Sequence, residues 1–265
     1  MVASLESFKM RAIGPTPVFN TPKISEIFSW PLNLDSQKLL RAVEVILFPG
    51  ALVEIVALKE RNIIQIKTDE YSGEELYTNK EFLEIAKDDQ PRKRTCPPLA
   101  VILKKFYHWP KTKYVWGGNF HKGIPLLAKL YPIPRQADRF TKMVWILKGV
   151  DCTGLLYEAT NGFLPRNTGQ LIEYGNSVSI FGKSDEEIAK LLIPGDLIVW
   201  RGHALFVEGE TVIESRSPEG VVRTKLLKRL KEIRTKIGRI PVDDPAIPFE
   251  TPSYVVRRWH PDIPA

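Results

Sequence analysis

The sequence predicts a chain of mixed α and β elements, a small β module ahead of a larger domain. Three observations lead there. Short apolar runs separated by turn residues fill positions 43–67, apolar residues at helical spacing follow a cysteine at 152, and two strand patterns joined by turns run from 193 to 208. With 265 residues, 43% hydrophobic and 26% charged, the chain has the composition of a globular protein and room for one large domain or two modest ones.

Taken in order, residues 1–35 hold Pro15, Pro17, Pro22 and Pro31, which exclude a long helix and predict an irregular N-terminal arm. Val43, Val45 and Leu47 alternate and stop at Pro49-Gly50, a turn pair. Two apolar runs, Leu52–Leu58 and Ile63–Lys67, flank a polar turn and predict a β-hairpin. The pattern over residues 36–90 resembles a small bacterial SH3-like barrel, with an unrelated small β module as the alternative. Residues 91–98 predict a linker and 99–239 a second domain. Residues 240–265, with six prolines, predict an extended C-terminal strap.

The formal net charge of +7 favours anionic partners. Its two concentrations, Arg92-Lys93-Arg94 and residues 223–239, lack the interleaved aromatics of a single-strand-binding surface, so nucleic acid is not predicted as a partner. Cys96 and Cys152 cannot build a disulfide framework, and His108, His121, His203 and His260 show no metal-ligand spacing. No metal or cofactor is predicted. No apolar run reaches membrane-spanning length, which predicts no integral membrane association. Residues 1–15 lack the pattern of a signal peptide, so the expected compartment is the cytoplasm, with periplasm or cell wall if export runs by another route.

Chemistry concentrates around Cys152. Asp151 precedes it as a candidate N-cap, and Asn161-Gly162 offers a C-terminal stop, which puts the thiol in the first turn of a helix. The partial positive charge there stabilises a thiolate. Imidazole is the usual base for such a thiol, and His203 enters a strand after Arg201-Gly202. If Gly209-Glu210 form a two-residue hairpin loop, Leu205 opposes Glu214 and His203 opposes Arg216. Glu214 then shares the face of His203 as its diagonal neighbour and can orient the imidazole, whereas a slip of one residue turns it away.

Five stretches in order make a more specific pattern. They are Tyr114-Val115-Trp116-Gly117-Gly118-Asn119, Asp151-Cys152-Thr153-Gly154-Leu155, Gly162-Phe163-Leu164-Pro165-Arg166-Asn167-Thr168-Gly169-Gln170, Pro194-Gly195-Asp196-Leu197 and Gly202-His203. Together they resemble the motifs of the NlpC/P60 family. The resemblance implies a papain-like α+β core, with the nucleophile's helix against an antiparallel sheet. It also implies hydrolysis of the γ-D-glutamyl–diamino-acid bond in peptidoglycan stem peptides or muropeptides. Similar enzymes with an SH3-like domain hold the free amine of an N-terminal L-alanine by the motif tyrosine and aspartate, here Tyr114 and Asp151. The residue after the cysteine, usually Ser, is Thr153. The SH3-like domain of such enzymes lends a residue to the pocket, with Glu70, Tyr71 and Tyr77 as candidates.

Three departures from the family pattern stand out. Glu214 falls where His, Asn or Gln is common, Thr153 adds a methyl group, and residues 120–148 look like an insertion. The insertion is expected to decorate the surface, with a roof over the cleft or a part in substrate choice as alternatives. Trp116 and Trp200 are expected in core packing, and Arg166 at a substrate carboxylate or in a helix-start salt bridge. Ser184-Asp185-Glu186-Glu187 reads as a capping box. Two other function classes compete with the peptidase: a decayed peptide-binding module, and a thiol acyltransferase. In permuted relatives of the latter class histidine precedes cysteine, the reverse of the order here.

Overall fold

The computed structural model describes residues 8–109, 111–244 and 252–263. Its N-terminal elements are β1 (Lys9–Ala12), β2 (Thr16–Phe19), α1 (Ile24–Ile27), β3 (Val43–Leu47), β4 (Leu52–Leu58), β5 (Ile63–Lys67), β6 (Leu76–Asn79) and β7 (Leu83–Ile85). Next come α2 (Leu99–Tyr107), β8 (Asn119–Phe120), α3 (Pro125–Leu130), α4 (Arg139–Trp145), β9 (Gly149–Val150) and α5 (Cys152–Ala159). The remainder is α6 (Thr168–Leu171), β10 (Asn176–Ser177), α7 (Asp185–Leu191), β11 (Leu197–Trp200), β12 (His203–Val207), β13 (Thr211–Arg216), β14 (Gly220–Lys225), α8 (Leu226–Thr235), β15 (Ile240–Pro241) and β16 (Ser253–Arg258). Two compact units interleave along the chain: Met1–Arg94 with Val115–Asp151, and Thr95–Tyr114 with Cys152–Ala265. Among the described residues no helix is long and apolar enough to cross a membrane.

The first unit is built on an antiparallel sheet in the order β3-β2-β6-β5-β4-β1-β7. Strands β3, β4 and β5 take the spans that alternation predicts, and Gly50 turns the chain between β3 and β4 with φ +85°. Two expectations are corrected. No pairing among the described residues joins β3 to β7, so the sheet is not a closed barrel. Nor is the N-terminal stretch an irregular arm, because β1 and β2 lie inside the sheet. Prolines exclude helix but not extended backbone: Pro17 sits in β2 opposite Ile46, and its carbonyl accepts the Thr78 hydroxyl at 2.8 Å.

This sheet is covered on both faces. Val18, Val45, Leu47, Val53, Ile64 and Ile66 pack together in one core. Phe19, Val43, Ile46 and Tyr77 belong to another, which they share with Leu127, Val144, Trp145 and Leu147. Residues 120–148 therefore build a core instead of decorating the surface. Burying Trp145 and Leu127 contributes about 1.5–3 kcal/mol each. The Trp145 indole also donates to the Tyr131 carbonyl at 2.8 Å, and Phe28 stacks on Tyr131 at 4.9 Å.

The glycines of the Trp-Gly-Gly-Asn stretch answer to the same packing. A side chain on Gly117, at φ +68°, would stand 2.4 Å from the Val43 carbonyl oxygen, and one on Gly118 would stand 2.6 Å from that of Gly149. Close approach lets the buried Asn119 amide act as a strand partner for β3. Its Oδ1 accepts from Ile46 N–H at 2.8 Å and its Nδ2 donates to Ile46 O at 2.7 Å. One outward N–H and C=O of edge strand β3 are thereby satisfied without another strand.

The second unit holds an antiparallel sheet in the order β10-β16-β11-β12-β13-β14, with β15 parallel beside β16. One face is filled by Ile198, Leu205, Val207 and Val212 against Ile188 of α7 and Leu226, Leu230 and Ile233 of α8. The other carries Phe206, whose ring meets Phe106 of α2 at 4.9 Å, with α5 packed on β12 and β13 beside it. The Ser184 capping box at the start of α7 forms as expected.

The C-terminal strap is also corrected: β16 pairs directly with β11, Ile198 opposite Val256, and is an inner strand of the sheet. The Pro-Gly-Asp turn explains how it is held. Asp196, fully buried, takes both Arg258 Nε and Nη2 at 2.9 Å, and the Gly195 carbonyl accepts the Trp259 indole at 2.8 Å. The final residues fold back so that His260 Nε2 bonds the Pro97 carbonyl at 2.8 Å.

Asn119→Ala strips two hydrogen bonds from a buried strand edge. It is expected to destabilise the first unit by about 2–4 kcal/mol, read as a lowered thermal midpoint of that unit.

Candidate active site

His203 enters β12 from the two-residue turn Arg201-Gly202, with Trp200 paired opposite. Gly202 has φ +93°, a backbone region that glycine adopts without strain. Its N–H donates to Thr168 Oγ1 at 3.0 Å, and its carbonyl accepts from Cys152 Sγ at 3.8 Å. One turn thus receives the thiol from the first turn of α5 and leads directly into His203.

The hairpin beyond follows the expected register. Phe206 pairs with Ile213 and Val207 with Val212, Glu208 N–H donates to Thr211 O at 2.8 Å, and Gly209 opens the loop at φ +113°. His203 and Glu214 therefore share a face as diagonal neighbours, and imidazole Nε2 lies 2.6 Å from Glu214 Oε2. Trp200 lies beside them, its ring 5.0 Å from that of His203 and 5.3 Å from the Arg239 guanidinium.

Glu214 is fully buried and surrounded by cations. Arg229 of α8 donates from Nη2 to Oε2 at 2.8 Å. Its Nε approaches Oε1 at 2.7 Å as an ion contact without the alignment of a hydrogen bond. Arg216 Nη1 stands 3.6 Å from Oε1. Burial alone pushes the Glu214 carboxyl up; the hydrogen bond from His203 and the charges of His203 and Arg229 outweigh it and hold the group below its ordinary range. An ionised carboxylate accepts only, so the shared hydrogen sits on Nε2. Nδ1 is then the ring nitrogen that carries the lone pair.

The stretch between α5 and α6 braces this arrangement. Buried Arg166 donates from Nη1 to Thr153 Oγ1 at 2.5 Å, and Thr168, two residues on, holds Gly202. Arg166 thus meets the first turn of α5. Sequence reasoning passes over Thr168, whose only signal is its place in the Arg-Asn-Thr stretch. The Thr153 contact has a chemical consequence: an oxygen accepting from a guanidinium is a poor anchor for an ammonium, which brings positive charge and donors alone.

The other expected site residues have separate supports. Tyr114, half-buried, follows a segment fixed beside β14, where Val221 N–H donates to Thr112 O at 2.8 Å. Asp151, buried in the first unit, donates its N–H to Gly118 O at 2.9 Å and leads into α5. Of the three SH3-like-domain candidates, Glu70 is clasped by Arg92 at 2.9 and 3.0 Å, Tyr71 donates to Glu44 at 2.6 Å, and Tyr77 is buried in the core. Trp116 is half-buried under the Arg41 guanidinium, 4.0 Å from its ring centroid.

No family model and no curated protein matches the chain. Its structural neighbours are NlpC/P60 proteins. An NlpC/P60 family protein from Bacillus cereus ATCC 10987 aligns over 96% of this chain and 63% of its own, with 14% identity and a TM-score of 0.36. NlpC2 from Trichomonas vaginalis aligns over 96% and 72%, with 13% identity and a TM-score of 0.36. NlpC1 from the same organism aligns over 96% and 69%, with 13% identity and a TM-score of 0.35. The chain thus spans less than two thirds of the Bacillus protein.

The two thiols should separate by reactivity. Burial first, then the charge of Asp262, pushes the Cys96 thiol up to about 11. Iodoacetamide near neutral pH should label Cys152, while Cys96 reacts only as the pH approaches that value; peptide mapping reads both. Thr168→Val removes the acceptor for Gly202 N–H. It should cost about 1–2 kcal/mol of stability by thermal denaturation and slow Cys152 alkylation several-fold.

Proposed function

We propose that the chain is a cysteine peptidase that cleaves the γ-D-glutamyl–diamino-acid bond of peptidoglycan stem peptides, with Cys152 as nucleophile, His203 as base and Glu214 as the group that orients the imidazole. One observation carries the thiol chemistry. The turn that delivers His203 receives the Cys152 thiol, while a buried carboxylate engages the far edge of the same imidazole. The substrate class rests on the ordered motifs from Tyr114 to His203.

The reaction runs in two stages. His203 Nδ1 takes the thiol proton, and the thiolate attacks the scissile carbonyl carbon to form a tetrahedral adduct. The C–N bond breaks as the imidazolium gives its proton to the leaving amine, which leaves a thioester on Cys152. Water, deprotonated by His203, then releases the acid and restores the thiol. Glu214 keeps Nε2–H fixed throughout, so that Nδ1 faces the reacting atoms. We assign recognition of the free L-alanine amine to Tyr114 and the carboxylate of Asp151. Thr153 takes a lesser part because Arg166 already occupies its oxygen.

Incubation with L-Ala-γ-D-Glu-diaminopimelate, followed by mass spectrometry, tests the reading. Wild type should release L-Ala-D-Glu, while Cys152→Ala and His203→Ala lose at least about a thousandfold in rate. N-acetylation of the substrate should abolish cleavage. Release of product by Cys152→Ala at the wild-type rate, or no cleavage by wild type, would overturn it.

A further inference from the structure

Arg229 lies on a helix whose exposed side chains are basic, yet its own guanidinium is buried against Glu214. Its neighbour Lys228 is exposed to solvent, as is Lys231. The charged groups that meet at this carboxylate come from several elements. They are His203 of β12, Arg216 of β13, and Arg229 of α8, which also reaches Glu232 Oε2 at 3.4 Å. From α5 comes Cys152, whose thiol rests on the turn before His203. A lone carboxylate at Glu214 would face the imidazole with a full negative charge. Arg229 contributes a full positive charge to the same two oxygens.

From this geometry we infer that Glu214 and Arg229 work as one unit, a hydrogen-bond acceptor without net charge that positions His203 without locking it as imidazolium. Arg229 is a positioning residue, acting on His203 through Glu214. The inference rests on His203 serving as the base of a thiol enzyme, the reading proposed above. It adds a member that motif resemblance does not supply, and it accounts for a carboxylate at a position where relatives of that pattern carry His, Asn or Gln. In electrostatic terms the ion pair stands in for such a neutral side chain.

The test is an NMR titration of the His203 ring in protein labelled at histidine Cε1, in the Cys152→Ala background so that the thiol does not titrate beside it. Arg229→Met leaves the carboxylate with only the more distant Arg216, at 3.6 Å, and should raise the His203 midpoint by about one pH unit. Glu214→Gln leaves the guanidinium with only Glu232, at 3.4 Å, and should lower it by about as much. The double variant, neutral at both positions, should return to within about 0.3 unit of the parent, as should Arg229→Lys. Opposite shifts that cancel in the double variant are a signature that loss of structure does not produce. Both Arg229→Lys and the double variant avoid an unpaired buried charge, so they decide the matter if a single variant fails to fold. A midpoint unchanged or lowered in Arg229→Met, or a double variant displaced by about one unit, overturns the inference. The titration needs no substrate. If the expected pattern appears while the stem peptide is not cleaved, the peptidase reading fails and the Glu214–Arg229 unit stands.

Discussion

A carboxylate taken wholly out of water costs several kcal/mol unless cations meet it, and Glu214 is such a group. Its needs organise the second unit. The β12–β13 register brings it diagonally across from His203, and α8 must lie close enough to deliver Arg229. A slip of one residue in the hairpin would turn Glu214 to the face that carries Phe206 and α5, away from both partners. The same contacts thus fix the strand register, dock the helix and aim the imidazole. Truncating one partner of this cluster leaves the others as unpaired buried charges, so stability and site geometry depend on the same side chains.

A second constraint acts at the turn between β11 and β12. His203 lies on a strand face covered by α8, Cys152 on a helix packed on β12 and β13, and both meet the turn Arg201-Gly202. A tight turn at the ends of two inner strands has few fixed partners of its own. Here Thr168 holds its N–H and the thiol engages its carbonyl. Arg166 ties the same stretch to Thr153 on α5, so a short segment with little regular structure bridges both sides. Asp196 serves the sheet similarly, clasping Arg258 so that a strand from the end of the chain closes against β11.

Local periodicity made much of this legible. Val43, Val45 and Leu47 are all buried in β3, and β3, β4 and β5 fall on the expected spans. The hairpin register was readable because Gly209-Glu210 leaves one compact way to close. Long-range pairings were not readable. Nothing around Val256 names Ile198 as its neighbour, and prolines in that stretch suggested a strap. Residues 120–148 read as an insertion because Leu127, Val144 and Trp145 show their own spacing but not the sheet they cover. Arg229 was hidden for a different reason: among the basic residues of α8, composition does not tell which guanidinium turns inward. Thr168 was hidden because its role is a single hydrogen bond to a turn distant in sequence.

Magnitudes explain why a buried glutamate beside the base calls for an arginine. A unit charge about 5 Å from an imidazolium, at an effective dielectric near 20, is worth about 3 kcal/mol, or roughly two pH units. Uncompensated, Glu214 would favour the imidazolium, which under the proposed mechanism cannot take the proton of a thiol. A bare arginine would err the other way, making the imidazolium that must form during catalysis too costly. Paired on the same two oxygens, the charges cancel most of each other's field at the ring. The carboxylate's directional acceptor remains, and direction is what the proposed base requires: Nε2 anchored on Glu214, and Nδ1 left for the thiol and the substrate.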